Sequence, residues 1–172
     1  MFTLYNRVDE LENVADQSVT LVMSAGDLRP MWDHIERVLR PEGAIVVFGT
    51  KEHCMAHRLH APLKYRYEMP MNTCDWLSYG KYNRAFIFRM LDGMEGIERR
   101  IFNPIVLHMY ITNTEFTMEK FLNITYTNPN DIVLDPYGDW GTFLPSMNMD
   151  RHYIGVQEDF GVLEDMHYYN DI

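Results

Sequence analysis

The chain has 172 residues, 47% hydrophobic and 13% aromatic, which is enough to bury a core and excludes an intrinsically disordered chain. Lys and Arg number 15 against 25 Asp and Glu, a formal net charge of −10 that disfavours phosphate-driven nucleic-acid binding. No apolar run reaches the roughly 18–20 residues of a membrane span, and the opening MFTLYNRVDELENV lacks the basic start and apolar stretch of a secretory leader. With only Cys54 and Cys74, free thiols in a reducing compartment are expected. The expectation is a soluble, acidic, cytoplasmic single domain.

Phe2-Thr3-Leu4-Tyr5 is a short strand candidate, and Asp9 to Asp16 follows with helical spacing. Ser18 to Met23 is a continuous apolar run of the kind buried on both faces of a parallel sheet. Pro30 to Arg40 places Met31, Ile35, Val38 and Leu39 on one helical stripe, with Pro41-Glu42-Gly43 as its stop. Ala44 to Gly49 is the clearest strand, and Lys51 to Ala61 is predicted as a helix. Tyr65 to Met71 and Arg84 to Leu91 follow as strands. Phe116 to Tyr126 has helical spacing, ended by Asn128-Pro129-Asn130. Asp131 to Tyr137 is a strand that runs into the loop Gly138-Asp139-Trp140-Gly141. His152 to Gln157 is another strand, and Glu158 to Tyr169 a short helix. Strands alternating with helices predict an α/β sheet with helices on both faces.

The most specific text is DIVLDPYGDWGTF followed by HYIGVQED. A strand ending Asp-Pro-aromatic, a glycine-containing loop and a strand ending Ile-Gly-Val resemble the cofactor half of S-adenosylmethionine-dependent DNA amino-methyltransferases. Asp135, Pro136, Tyr137, Gly141, Thr142, Ile154 and Gly155 carry the match. Asp16 to Val22 is similar to the stretch leading into that family's catalytic tetrapeptide, and Arg37 to Gly49 to the helix and strand after it. Catalytic region first and cofactor region last is the permuted order of one subgroup. The resemblance implies a Rossmann-like sheet, mostly parallel, with one antiparallel strand at Arg84 to Leu91. It divides a single domain, 1–172, into a catalytic-half remnant (1–91), a trimmed recognition region (92–112) and a cofactor-half remnant (113–172).

The same resemblance exposes departures. The family accepts the exocyclic amine of a flipped base with Asp, Asn or Ser, followed by Pro-Pro and a stacking aromatic. One register places Ala25-Gly26-Asp27-Leu28 there; the other places Ser24-Ala25-Gly26-Asp27. Neither keeps acceptor, prolines and ring together, so amino-methyl transfer is expected to be absent. In the donor loop Gly138 is followed by Asp139 and Trp140 where a glycine and a small residue belong, and Gln157 replaces the ribose-binding acid. Trp140 either fills the adenosyl space or packs as an aromatic unrelated to a ligand. S-adenosylmethionine binding is expected to be weak or absent.

Lys81, Arg84, Arg89, Arg99 and Arg100 form the most basic neighbourhood, better explained as a solvated strand edge than as a phosphate patch. His53, His57 and His60 fall on one face of the predicted helix. They lack the Glu and paired Cys of a metal site and are expected as a surface or interface stripe, with no metal. The 13 methionines are expected mostly as core filling, and Tyr168-Tyr169 with Met166 as an apolar association patch. The favoured function is a pseudoenzyme that binds a protein partner or itself, of a kind that suits a phage or mobile element. An active divergent methyltransferase and a non-catalytic nucleic-acid-binding module remain as alternatives.

Overall fold

The computed structural model describes residues 1–61, 64–70, 84–89, 118–138 and 140–156. Their strands are β1 (Phe2–Tyr5), β2 (Val19–Ser24), β3 (Leu39–Gly49), β4 (Lys64–Pro70), β5 (Arg84–Arg89), β6 (Ile132–Asp135) and β7 (His152–Val156). Their helices are α1 (Trp32–Val38), α2 (Lys51–His60), α3 (Met118–Tyr126) and α4 (Trp140–Asn148), with 3₁₀ turns at Val8–Asn13 and Arg29–Met31.

The strands form one sheet in the order β1-β7-β6-β2-β3-β5-β4. Every pairing is parallel except those of β5, which runs against both β3 and β4. This is the Rossmann-like methyltransferase sheet expected from the sequence, with its single reversed strand where the resemblance put it. Continuous apolar runs form its centre because both faces are covered. Alternate residues go to opposite faces. Val22, Ile45 and Val47 meet Leu11, Met31, Ile35 and Val38 on one side. Leu21, Met23, Val46 and Phe48 meet Phe121, Leu122 and Tyr126 of α3 on the other. Phe143 of α4 packs edge-on to Tyr153 of β7, with ring centroids 5.1 Å apart.

Several boundaries differ from the sequence expectation. The acidic stretch makes a six-residue 3₁₀ turn, not a helix to Asp16. The helix predicted over Pro30 to Arg40 is a seven-residue α1 preceded by a 3₁₀ turn, although all four stripe residues are buried as predicted. Pro41-Glu42-Gly43 lies inside β3, not in a separate stop. The register explains why: Val19 pairs with Leu39, but Leu21 already pairs with Ala44. The stretch between them stands out of the ladder, so the missing N–H of Pro41 costs β2 no bond. Thr20 has no register partner on either neighbouring strand, a bulge in β2.

Helix α4 departs from the sequence expectation, which places its start, Trp140, in a loop. The expected helix at Glu158 to Tyr169, the region 92–112, Lys81, Arg99, Arg100 and the Tyr168-Tyr169 patch lie outside the described residues.

Candidate functional site

The chain leaves β2 towards β3 on one side of the sheet and leaves β6 towards β7 on the other, while β2 and β6 are neighbours. Their carboxyl ends therefore flank a topological switch point, where open α/β sheets form a crevice. Two loops border it, 24–28 after β2 and 135–138 after β6. These contain Ser24 to Leu28 and Asp135 to Gly138, nine of the candidate catalytic and donor-site residues.

In the first loop, Ser24 is fully buried and its Oγ accepts the Gly26 N–H at 3.0 Å. Asp27 is held by a two-pronged ion pair: Arg29 Nε lies 2.8 Å from Oδ1, and Arg29 Nη2 lies 2.6 Å from Oδ2. That pairing holds the Asp27 carboxyl well down, at about 2. Leu28 is fully buried and packs with Met31, Trp32 and Ile35 in the core.

In the second loop, buried Asp135 accepts the Tyr137 N–H on Oδ1 at 3.0 Å, an Asx turn. Gly138 then takes φ 55, the left-handed geometry that suits glycine. The two loops are joined. Tyr137 Oη donates to the Asp27 carbonyl at 2.7 Å, and a Cβ added to Gly26 would fall into the Tyr137 ring. Glycine at 26 is what lets the aromatic close onto the backbone.

Farther along, Thr142 is buried on α4, and its carbonyl accepts from Ser146 Oγ at 2.7 Å. Trp140 and Gly141 open α4 as backbone, with the Trp140 side chain outside the described residues. Asp139 and Gln157 also lie outside them, and Pro136 is buried. Ala25 is half-buried beside the core on the α3 side.

The histidine stripe needs correction. His57 is 1% exposed, an interior residue and not part of a surface stripe, whereas His60 is exposed and His53 half-buried. Cys54 and His57 stand three positions apart, on one side of α2, and that is the side it buries. His57 Nδ1 lies 3.0 Å from the His53 carbonyl, and the Leu28 N–H donates to His57 Nε2 at 3.0 Å. Those two bonds define a neutral imidazole carrying its proton on Nδ1. Burial holds its pKa below the usual histidine value. Among the described residues no group of three His, Cys, Asp or Glu is placed to hold a metal. No described helix is long and apolar enough to cross a membrane.

The sequence singled out residues 24–28 and 135–138 but put 135–137 in a strand, and it gave no sign of Arg29 or of the bonds that the Tyr137 hydroxyl and His57 make to the first loop.

Comparisons with known proteins agree on the architecture. No family model matches the chain, and no curated protein matches it. A solved structure named as a DNA modification methylase from Thermus thermophilus superposes with a TM-score of 0.73 at 14% identity, covering 99% of this chain and 95% of that one. M1.HpyAVI in a complex with SAM gives 0.65 at 15% identity, over 100% of both chains. The cytosine-N4-specific PvuII DNA methyltransferase gives 0.61 at 12% identity, covering 92% of this chain and 82% of that one. At these identities the likeness is one of fold.

Proposed function

We propose that this chain is a degenerate relative of S-adenosylmethionine-dependent DNA amino-methyltransferases. It keeps their fold without amino-methyl transfer and acts by binding a macromolecular partner, a protein or a second copy of itself. The observation that carries this is the loop after β2. Residue 28, where one register calls for a base-stacking ring, is a leucine sunk in the core. In the other register that place falls to Asp27, a carboxylate tied to Arg29. Neither offers a face to a flipped base, and a charged group there would be costly to desolvate when the site closed.

The donor side supports the same reading. Asp135 and Gly138 keep the turn in which a methyl donor would sit, and the fold neighbours include complexes with that donor. Tyr137, however, spans the crevice to the β2 loop, so the described residues fit the donor poorly and binding is weak or absent. The donor would supply an activated methyl group, and this loop has no described acceptor arrangement to orient a base towards it.

Calorimetric titration with S-adenosylmethionine, paired with a radiolabelled methyl-transfer assay on duplex DNA, tests the proposal. No transfer and affinity weaker than micromolar are expected. Robust transfer by the wild-type chain would establish a divergent enzyme instead. That second reading draws on the preserved Asp135–Gly138 turn.

A further inference from the structure

We infer that His57 is the key of a proton-operated latch that holds the loop after β2 against Tyr137. The neutral Nε2 has one lone pair, and the Leu28 N–H occupies it at 3.0 Å. Asp27 Oδ1 stands 3.5 Å from the same nitrogen, an acceptor facing an acceptor while the ring is neutral. A proton taken up on Nε2 reverses both relations. The Leu28 N–H then faces a donor and loses its partner, while Asp27 gains an ionic N–H···O bond. Nδ1 keeps its proton and its bond to the His53 carbonyl, so the ring is held from α2 throughout.

The consequence reaches the crevice through two adjacent residues. Asp27 carries the carbonyl that accepts the Tyr137 hydroxyl, and Leu28 is the next residue along. Drawing the Asp27 carboxylate towards His57 competes with its ion pair to Arg29 and shifts the carbonyl on which Tyr137 is latched. Three residues act on the imidazole: His53 on its own helix, and Asp27 and Arg29 across from it. Burial, the His53 ring and Arg29 oppose protonation; the His53 carbonyl and Asp27 favour it. The Trp32 ring also lies edge-on to the imidazole, at 6.1 Å between centroids, and brings no charge. The latch is therefore shut near neutral pH and released below the usual histidine value of 6.5. It stands on the contacts themselves, whether or not the chain transfers methyl groups.

Nitrogen-15 NMR of the full chain between pH 7.5 and 5 tests the latch. At pH 7.5 the His57 imidazole should be the Nδ1–H tautomer, identified by its absence in His57→Gln. On acidification the amides of Gly26 and Leu28 and the Tyr137 ring should shift with the His57 midpoint, while β2 and β3 core amides stay in place. His57→Gln keeps an acceptor but takes no proton, so those loop shifts should vanish. Asp27→Asn should lower the His57 midpoint. An Nε2–H tautomer, loop amides that ignore the His57 titration, or loss of core and loop signals together would each overturn the latch. If His57→Gln fails to fold, the wild-type tautomer and the Leu28 amide midpoint decide the matter alone.

Discussion

Leu28 and Tyr137 mark the two sides of the crevice, and single substitutions separate their roles. Leu28 is fully buried. Leu28→Ala should therefore destabilise the chain by about 2–5 kcal/mol in urea unfolding, since the cavity adds to the lost burial. Tyr137 is 43% exposed, and its hydroxyl bonds across the loops to the Asp27 carbonyl. Tyr137→Phe should cost only about 0.5–1.5 kcal/mol, while freeing the Asp27 carbonyl. Gly26→Ala should cost more than Tyr137→Phe, because its methyl group meets the ring itself. Equal effects of these two changes would mean that the aromatic is not seated on the glycine.

Helix α2 is the element that couples the sheet to the β2 loop, and its entry is capped. Thr50 accepts the His53 N–H on its hydroxyl at 3.3 Å, and Glu52 follows in the first turn. Thr50→Ala should cost about 0.5–2 kcal/mol of stability. It should also loosen His53 and His57 together, read as faster hydrogen exchange at the Leu28 amide. Unchanged exchange there would separate the helix from the loop. At the opposite end of the sheet, Arg40 meets Asp131 at 3.1 Å, and Arg37 binds Asp16 and the Leu11 and Val14 carbonyls. These ties pin the strand starts and leave the crevice end free to vary.

Across the whole molecule, stability should rise with pH through the mildly acidic range. Below 6.5 the unfolded chain takes up a proton on His57 that the folded chain resists, so stability falls as pH drops from there towards the lower folded value. Asp27 acts in the same sense farther down: its contribution is present above 3.8 and is lost as pH falls towards about 2. Urea midpoints at pH 7.5, 6 and 5 should decline more steeply for wild type than for His57→Gln. Parallel declines would remove His57 as the cause. The charge of −10 gives a separate expectation. A gel-shift titration with duplex DNA at low salt should show no salt-dependent complex, because the 25 carboxylates outnumber the 15 cations that would displace counterions.

The sequence by itself determined the sheet. Apolar runs such as Ala44 to Gly49 read as strands covered on both faces, and the loop after β6 was expected from Gly138, although the strand ends two residues earlier at Asp135. It misjudged places where local signals conflict with packing. Gly141 and Pro145 argue against a helix, yet α4 forms because Phe143 is buried against Tyr153. Pro41 argues for a stop, yet β3 absorbs it where the β2 ladder is interrupted. The joining of the two loops belongs to tertiary structure alone. Tyr137 and Asp27 are 110 positions apart, and Leu28 and His57 are 29 apart. No periodicity spans such separations. Only the neighbouring of β2 with β6, and the seating of α2 on β3, turned a serine, an aspartate, a histidine and a tyrosine into one closed crevice.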